Sequence, residues 1–241
     1  MERHQNLQAI VLNRKSWNDQ DLWVQLLSSK GERVECIAKG AASPTSRRKA
    51  HLDPLSLGQF TLYNSGKNLY LQSAQIEESF TCLKENLDLS LEAQSLLFIV
   101  EKILPSEDAC HEEIFISVLQ ALRDYNQKET SPLIWEKCMT QIAHQMGFLP
   151  SFKECSQCHQ NILEDTAKWH SENQTLYCQN CSPAGTDDLP LKYRKALEFL
   201  KRPSQKPEIQ LFLQPEEKQT LRRFLPQFFG GYLPDSVMQL L

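Results

Sequence analysis

Along the first 76 residues, apolar and polar positions alternate with the period of two that half-buried β-strands show. Val34 and Cys36, for example, alternate with Arg33 and Glu35. The alternation predicts five strands, near residues 7–13, 21–28, 32–39, 57–64 and 68–76. Five short strands fit a small, partly open barrel of the oligonucleotide-binding (OB) type, and they fit several other small barrels as well.

Beyond about residue 80, apolar residues recur every three to four positions, which predicts helices. The third of these helices has clear boundaries, with Ser131 as its N-cap, Pro132 at its first position and Gly147 after its end. Pro226 is expected to kink or shorten the last one. The predicted helices lie near residues 89–104, 114–125, 131–147, 191–200 and 221–228.

The segment from about 150 to 185 interrupts the helical pattern, because it is polar, rich in turns and contains paired cysteines. Cys155-x2-Cys158 is followed after nineteen residues by Cys178-x2-Cys181. Each pair suits a tight turn that directs two thiolates at one point, and two such turns complete a tetrahedral zinc site. A closed four-thiolate shell leaves no position for substrate, so we predict a structural Zn²⁺. Empty or redox-active pairs, or another thiophilic metal such as an iron cluster, are the alternatives.

The net charge of −4 is divided unevenly along the chain. Residues 1–75 carry ten Lys and Arg against six Asp and Glu, a net charge of +4, so the remaining 166 residues carry −8. Between the third and fourth predicted strands, the segment 40–49 has no acidic residue and ends in Arg47, Arg48 and Lys49. We predict an exposed loop here that follows a phosphate backbone without reading bases. Arg14, Arg33 and Lys39 belong to the same basic set, which a barrel could gather on one side.

Five aromatic residues are interleaved with these cations, and an exposed ring can stack on a base. Trp23 and Phe60 occupy apolar strand positions, so we expect both to lie in the barrel core. Trp17 stands between charged and polar residues and is the better candidate for stacking. Tyr63 and Tyr70 complete the set.

Motifs of common enzymes are absent from the sequence. There is no G-x-x-x-x-G-K-[ST] phosphate loop, no H-E-x-x-H and no G-x-S-x-G. No apolar run approaches the roughly 20 residues that span a bilayer, and no signal-peptide core is present, so we expect a cytoplasmic protein without membrane contact. Thiols stay reduced there, and the solitary cysteines are expected to be small core residues, at Cys36, Cys82, Cys110 and Cys138.

Four stretches of the chain form a recognisable combination. They are the opening Ala9-Ile10-Val11-Leu12 with Arg14, the Ala38-Lys39-Gly40-Ala41 run before Ser46-Arg47, the helix at 87–104, and Met146-Gly147-Phe148-Leu149-Pro150 ahead of the cysteine pairs. Together they resemble the RecO family of bacterial recombination mediators. His159 departs from the pattern, because the family tends to have glycine after the second cysteine.

The resemblance implies an α+β protein with an OB-fold nucleic-acid-binding barrel at residues 1–80, followed by a helical domain at 81–241 that carries the zinc module at about 150–185. It also implies a non-enzymatic mediator of DNA repair that binds single- and double-stranded DNA and anneals complementary strands. Its implied partners are RecR and the C-terminal tail of single-strand-binding protein. Through them it would help to load RecA onto DNA coated by single-strand-binding protein, and its implied location is the cytoplasm at the nucleoid. DNA contacts would fall on Lys39, Arg47, Arg48 and Lys49, with Arg14 and Arg33 as neighbours.

Two other classes of function fit the same residues. The barrel and zinc module could serve an RNA-binding or protein-interaction adaptor for which DNA is irrelevant. A metal-dependent enzyme would need an open coordination position, and the spacing of the four cysteines argues against one.

Overall fold

A computed structural model describes residues 4–43, 46–104, 111–127, 133–202 and 213–233 of the chain, and the side chains of Arg47 and Tyr232 lie outside this description. Two compact units are present, Met1–Ile134 and Trp135–Leu241. In the described residues, no helix is long and apolar enough to cross a membrane. The predicted domain boundary near residue 80 stays a prediction.

Five strands of the first unit form a closed barrel in the order β1-β2-β3-β5-β4. All its neighbouring strands are antiparallel except β3 and β5, as the order of a five-stranded Greek-key barrel requires. The predicted OB-type barrel is therefore confirmed. The strands are β1 (His4–Ser16), β2 (Leu22–Ser28), β3 (Arg33–Ala38), β4 (Leu57–Asn64) and β5 (Leu69–Glu78).

The barrel interior is filled by alternate residues of every strand. Val24, Leu26, Phe60 and Leu62 are buried there, so the predicted core position of Phe60 is confirmed. The connection between β3 and β4 contributes as well, because residues Arg47–Leu52 form a short 3-10 helix whose Leu52 is fully buried in the same core. Within the predicted exposed loop, residues 40–49, Ala41 is buried in the core as well, while Arg48 and Lys49 are exposed as expected.

Three helices complete the first unit within the described residues: α1 (Thr81–Glu85), α2 (Leu87–Ile103) and α3 (Glu112–Tyr125). Asn86 caps α2 by accepting a hydrogen bond from the backbone N–H of Leu89. Helix α2 packs against β1, and Arg33 of β3 donates to the carbonyl oxygen of Glu101 at 2.7 Å. The barrel and these helices are therefore tied together by a specific polar contact as well as by packing.

The second unit combines three helices with a small sheet of order β7-β6-β8. Its described elements are α4 (Ile134–Gln145), β6 (Thr166–His170), β7 (Thr175–Tyr177), β8 (Asp187–Pro190), α5 (Leu191–Leu200) and α6 (Pro215–Phe224). A 3-10 turn, Leu225–Tyr232, follows α6, so Pro226 shortens the last helix as expected. Ser131 and Pro132, the predicted start of α4, lie outside the described residues.

The core of the second unit is aromatic. Trp169 of β6 is fully buried and packs edge-on against Phe228, with ring centroids 4.8 Å apart. Phe152 packs edge-on against the same Phe228, at 5.9 Å. The small sheet and the C-terminal turn therefore share one core, which the sequence pattern did not indicate.

Candidate nucleic-acid interface and metal centre

The predicted basic segment surrounds the 3-10 helix between β3 and β4. Lys39 follows the last residue of β3, and Arg48 and Lys49 lie on the 3-10 helix, with all three side chains exposed. Arg48 donates to the carbonyl oxygen of Lys39 at 3.3 Å, which joins the two ends of the segment. Three of the predicted DNA-contacting residues therefore lie on one connection of the barrel.

Arg14 of β1 holds this connection against the barrel. Its guanidinium donates to the carbonyl oxygen of Lys49 at 2.8 Å and forms an ion pair with Asp53 at 2.6 Å. Both bonds fix the backbone of the basic segment relative to the barrel wall. Arg14 thus has a positioning role, and its predicted contact with DNA stays a prediction.

Asp21, at the start of β2, orders the other end of the segment. Its carboxylate accepts hydrogen bonds from the backbone N–H of Gly40 at 2.8 Å and from the side-chain amide of Asn18 at 2.9 Å. The Gly40 bond, followed by the Asn18 bond, lowers the pKa of Asp21. The sequence pattern gives no indication of this contact, which joins residues 19 positions apart.

Arg33 is not part of the exposed set. Its side chain is 20% exposed and donates to the Glu101 carbonyl of α2, and its Nε lies 3.6 Å from Glu35. The guanidinium of Arg33 thus has partners within the protein, and no ligand is required to account for its position. Its assignment to DNA stays a prediction.

Trp23 faces outward from the barrel, so its expected place in the core was wrong. It pairs in register with exposed Lys15 of β1, while Leu22 and Val24 on either side of it point into the core. Trp17, in the β1–β2 connection, stacks on Trp23 with centroids 4.9 Å apart and ring planes 30° apart. Trp17 is 55% exposed, which agrees with the expectation that it is available at the surface.

The four paired cysteines of the second unit come together as their spacing predicts. The sulfur atoms of Cys155, Cys158, Cys178 and Cys181 all lie within 4.8 Å of one another. An ideal tetrahedral zinc site with Zn–S bonds of about 2.3 Å requires sulfur separations of about 3.8 Å. The donor set and its size therefore fit a divalent ion with four thiolate ligands.

Each cysteine pair lies on a hydrogen-bonded turn. The backbone N–H of Cys155 donates to Gln160, and the N–H of His159 donates back to Cys155, both at 2.9 Å. His159 has a φ of 57°, the left-handed conformation that glycine adopts most easily. The turn therefore accommodates a histidine in a conformation that glycine adopts most easily.

The environment of the cluster favours thiolate on its buried side. Burial raises the pKa of Cys155, but backbone N–H groups of Cys158 and Cys178 lower it, with a net result of about 6. A hydrogen bond with the Cys178 side chain, which favours the neutral thiol, is the largest cause that raises the pKa of Cys181 to about 12, and repulsion by the thiolate of Cys155 adds to the rise. A divalent cation between the four sulfurs would offset that repulsion.

Arg194 of α5 holds the module that carries the cysteines. Its buried guanidinium donates to the carbonyl oxygens of Phe152 at 3.3 Å, Ile162 at 3.5 Å and Glu164 at 2.5 Å. These three bonds satisfy backbone groups on both sides of the first cysteine pair. Sequence reasoning missed this residue, because an arginine among apolar helix positions gives no indication of its partners.

A cleft of about 550 Å³ lies beside the same module. Its walls include the aromatic rings of Phe152 and Phe199 and the aliphatic side chain of Ile162. The exposed cations Lys195 and Arg202 also line it, together with one acidic residue, Glu198. An apolar cleft with cations in its lining suits a ligand that is partly apolar and negatively charged.

Comparison with known proteins agrees with this architecture. A family model described as "Recombination protein O N terminal" matches residues 1–80, and one described as "Recombination protein O C terminal" matches residues 84–240. A protein named DNA repair protein RecO from Syntrophobacter fumaroxidans is 28% identical over 80% of this chain and 74% of its own length. Proteins of the same name from Bacillus pumilus and Oceanobacillus iheyensis are 25% and 20% identical, over 93% and 95% of this chain and 88% of their own lengths.

An OB-type barrel followed by helices and a four-cysteine cluster, together with these matches, defines a protein of DNA repair and recombination. More specifically, the chain belongs to the RecO family.

Proposed function

We propose that this chain is a non-enzymatic recombination mediator that binds single- and double-stranded DNA and anneals complementary strands. With RecR as its partner, it helps to load RecA onto DNA that is coated by single-strand-binding protein, and it works in the cytoplasm at the nucleoid. The observation that carries the proposal is the exposed basic segment, with Lys39, Arg48 and Lys49 held on one connection of the OB barrel. Family membership supports the choice of DNA as the polyanion.

Charge neutralisation is the proposed mechanism of annealing. Two DNA strands repel each other through their phosphates, and a cationic surface that holds both lowers this repulsion. Base pairing then proceeds without ATP. The bonds from Arg14 and Asp21 matter here because they limit the conformations of the cationic segment before DNA arrives.

Neutralising the basic segment tests the proposal. We expect the Arg47→Ala/Arg48→Ala/Lys49→Ala variant to lose affinity for all DNA sequences alike, because phosphate contacts carry no sequence information. The logarithm of the binding constant falls linearly with the logarithm of the salt concentration, and the magnitude of this slope should decrease by roughly 2 to 3, since each lost phosphate contact removes about 0.7 to 0.9. Fluorescence anisotropy titrations over a range of salt concentrations measure this slope.

Lys30→Ala provides the matched control, because Lys30 is an exposed cation on the turn at the opposite end of β2. It should leave the slope nearly unchanged. An unchanged slope in the triple variant would contradict the proposal. If the wild-type protein prefers RNA to DNA strands of the same sequence, the RNA-binding adaptor becomes the better interpretation.

For the acidic C-terminal tail of single-strand-binding protein, we propose the cleft beside the cysteine module as the docking site. The apolar walls and the cations Lys195 and Arg202 support this, because they complement a peptide with apolar side chains and negative charge.

A charge reversal at the cleft tests this docking site. We expect Lys195→Glu to anneal bare strands as the wild type does. Its annealing of coated strands should fall tenfold or more, which corresponds to about 1.4 kcal/mol of lost binding free energy. Arg223→Glu, an exposed charge reversal on α6, is the control. Equal loss on bare and coated strands would contradict this assignment.

Zn²⁺ is the proposed ion of the four-cysteine cluster, with Cys155, Cys158, Cys178 and Cys181 as its ligands. The close approach of the four sulfurs supports this. When bound, zinc would supply cross-linking of the module and no reaction chemistry, because four thiolates fill its tetrahedral shell. A cobalt-substituted sample should show the absorption of a tetrahedral four-thiolate site, and a spectrum with an open position would favour a metal-dependent enzyme instead.

A further inference from the structure

The outer surface of the barrel carries a row of aromatic side chains that crosses its strands. Trp23 of β2 pairs in register with Ile37 of β3, and Ile37 pairs with Tyr70 of β5. Tyr70 in turn pairs with Tyr63 of β4. Residues that oppose each other across neighbouring strands point to the same face. The three rings therefore share the outer face, with Ile37 buried between them.

Trp17 extends this row at one end. It lies in the connection between β1 and β2 and stacks on Trp23, yet more than half of its side chain is exposed. A tryptophan ring held at the surface by another ring gains little from burial, and its position is fixed before any ligand binds. Such a pair is suited to accept a third flat ring.

Cations accompany the aromatic row along its length. Lys39 lies over the ring of Tyr70, 4.6 Å from its centroid. Lys15 pairs in register with Trp23, and Lys67 lies on the turn between β4 and β5, directly beyond Tyr63. All three lysines are exposed. A polymer with flat bases and regularly spaced phosphates complements this alternation of rings and cations.

The place of the row on the barrel agrees with this complementarity. In OB folds generally, oligonucleotides bind on the face of strands 2 and 3, between the connection of strands 1 and 2 and that of strands 4 and 5. Here Trp23 and Ile37 lie on those strands, Trp17 lies on the first connection and Lys67 on the second. Lys39 links the row to the basic segment, since it contacts Tyr70 and lies next to that segment in sequence.

We propose that this aromatic row stacks the unpaired bases of single-stranded DNA, with Trp17, Trp23, Tyr70 and Tyr63 as the stacking platforms. The inference rests on the proposed function and adds a second, separable mode of binding to it. Bases of a duplex are stacked on one another and cannot reach the row, while the phosphates of both forms can reach the basic segment. The row therefore gives preference for single strands, and the basic segment gives binding to both.

Tryptophan fluorescence reports directly on this surface. The chain has four tryptophans, and Trp135 and Trp169 are buried at 2% and 0% exposure in the second unit. Oligo-dT should therefore quench the emission of Trp17 and Trp23 selectively, and an equal concentration of a blunt duplex should quench it far less. Trp17→Phe should reduce the quenching while keeping most of the affinity, because phenylalanine retains a stacking face.

The decisive comparison is between ring-removing variants on single and double strands. We expect Trp17→Ala and Tyr63→Leu each to weaken oligo-dT binding by about 5- to 150-fold, the range for loss of one base–aromatic stack, and to leave duplex binding within about twofold, since neither ring contacts the basic segment. Phe98→Ala removes an exposed ring from α2 and should change neither. Melting temperatures of the variants confirm that they are folded.

Each other outcome has a definite meaning. If the wild-type protein binds neither DNA form, the proposed function and this inference both fail. If it binds both forms and the ring variants behave like wild type, only the aromatic row is rejected, and a protein partner becomes the better occupant of this face. If oligo-rU binds more tightly than oligo-dT, the assignment to DNA is wrong.

Discussion

Removal of the proposed zinc ion should unfold the cysteine module and expose Trp169. The module has strands of only three to five residues, and its sheet is joined to the C-terminal turn through the contact of Trp169 with Phe228. Structural zinc in small modules contributes about 10 to 16 kcal/mol of apparent binding free energy, which such short elements cannot replace. Chelation, or the Cys178→Ser variant, should therefore shift the emission of Trp169 to longer wavelength and abolish the cooperative melting of the second unit.

Two other cysteines serve as controls for this experiment. Cys138 is buried on α4 in the same unit, and Cys82 is exposed in the first unit. Cys138→Ser should lower stability modestly and Cys82→Ser should not, and both should retain one metal ion per chain. A chelated protein with wild-type Trp169 emission and no bound metal would contradict the structural role of the ion.

The second large effect concerns the buried carboxylate of Glu136 on α4. Its side chain is fully buried, contacts the guanidinium of Arg222 on α6 and lies 3.9 Å from Lys218. Arg222 also lies over the ring of Trp135, 5.2 Å from its centroid. Removal of one partner of a buried ion pair costs about 3 to 5 kcal/mol, because the other charge remains in a medium of low polarity. We expect Arg222→Ala to cost about 3 kcal/mol at pH 8, since Lys218 still compensates part of the charge.

The pH dependence of this loss follows from the pKa of Glu136. Burial raises that pKa from 4.5 to about 7, and Lys218 opposes the rise. A carboxyl whose pKa is higher in the folded state binds more protons there, so stability falls as pH rises from about 4.5 through the folded-state pKa. Without Arg222 the pKa of Glu136 should rise further on folding, because one compensating positive charge is lost. The difference in free energy of unfolding between wild type and variant should therefore be smaller at pH 5, where Glu136 is protonated in both folded proteins, than at pH 8.

Denaturant titrations at both pH values measure this difference. Arg223→Ala, which removes the neighbouring exposed arginine, should have little effect at either pH. The double variant Glu136→Gln/Arg222→Met should recover most of the stability at pH 8, because it removes both charges. A deficit that is equal at pH 5 and pH 8 would show that packing of Arg222 on Trp135, and not the charge of Glu136, dominates.

The barrel and the metal cluster could be predicted because their signals are local. Alternation with a period of two is visible within each strand, and the two Cys-x2-Cys pairs need only a short turn each to direct their sulfurs. The face of Trp23 could not be read in the same way. It lies between the core residues Leu22 and Val24, and three apolar residues in a row do not indicate which of them points outward.

Features that depend on distant segments gave no signal. The buried position of Leu52 results from closure of the barrel, and the bonds of Arg194 to three carbonyl oxygens form only when the cysteine module packs on α5. The small sheet was missed for a related reason, since its strands are too short for a period to appear. Cys82 was expected in the core but is exposed, and Cys110 lies outside the described residues.

The contact between Arg33 and the Glu101 carbonyl joins the barrel to α2, so a fragment without α2 loses it. Ile10 and Leu27 oppose each other on β1 and β2, are fully buried and do not belong to the barrel interior, so they lie on the outside of the barrel under other residues, and α2 packs against β1. Gly31, with a φ of 77°, leaves no room for a side chain because the backbone of His111 lies against it. A fragment ending at residue 80 would expose the apolar outer surface around Ile10 and Leu27 to water and would be prone to aggregate. One ending at residue 127 keeps α2 and α3 on the barrel, and it is the better starting point for binding studies with the first unit alone.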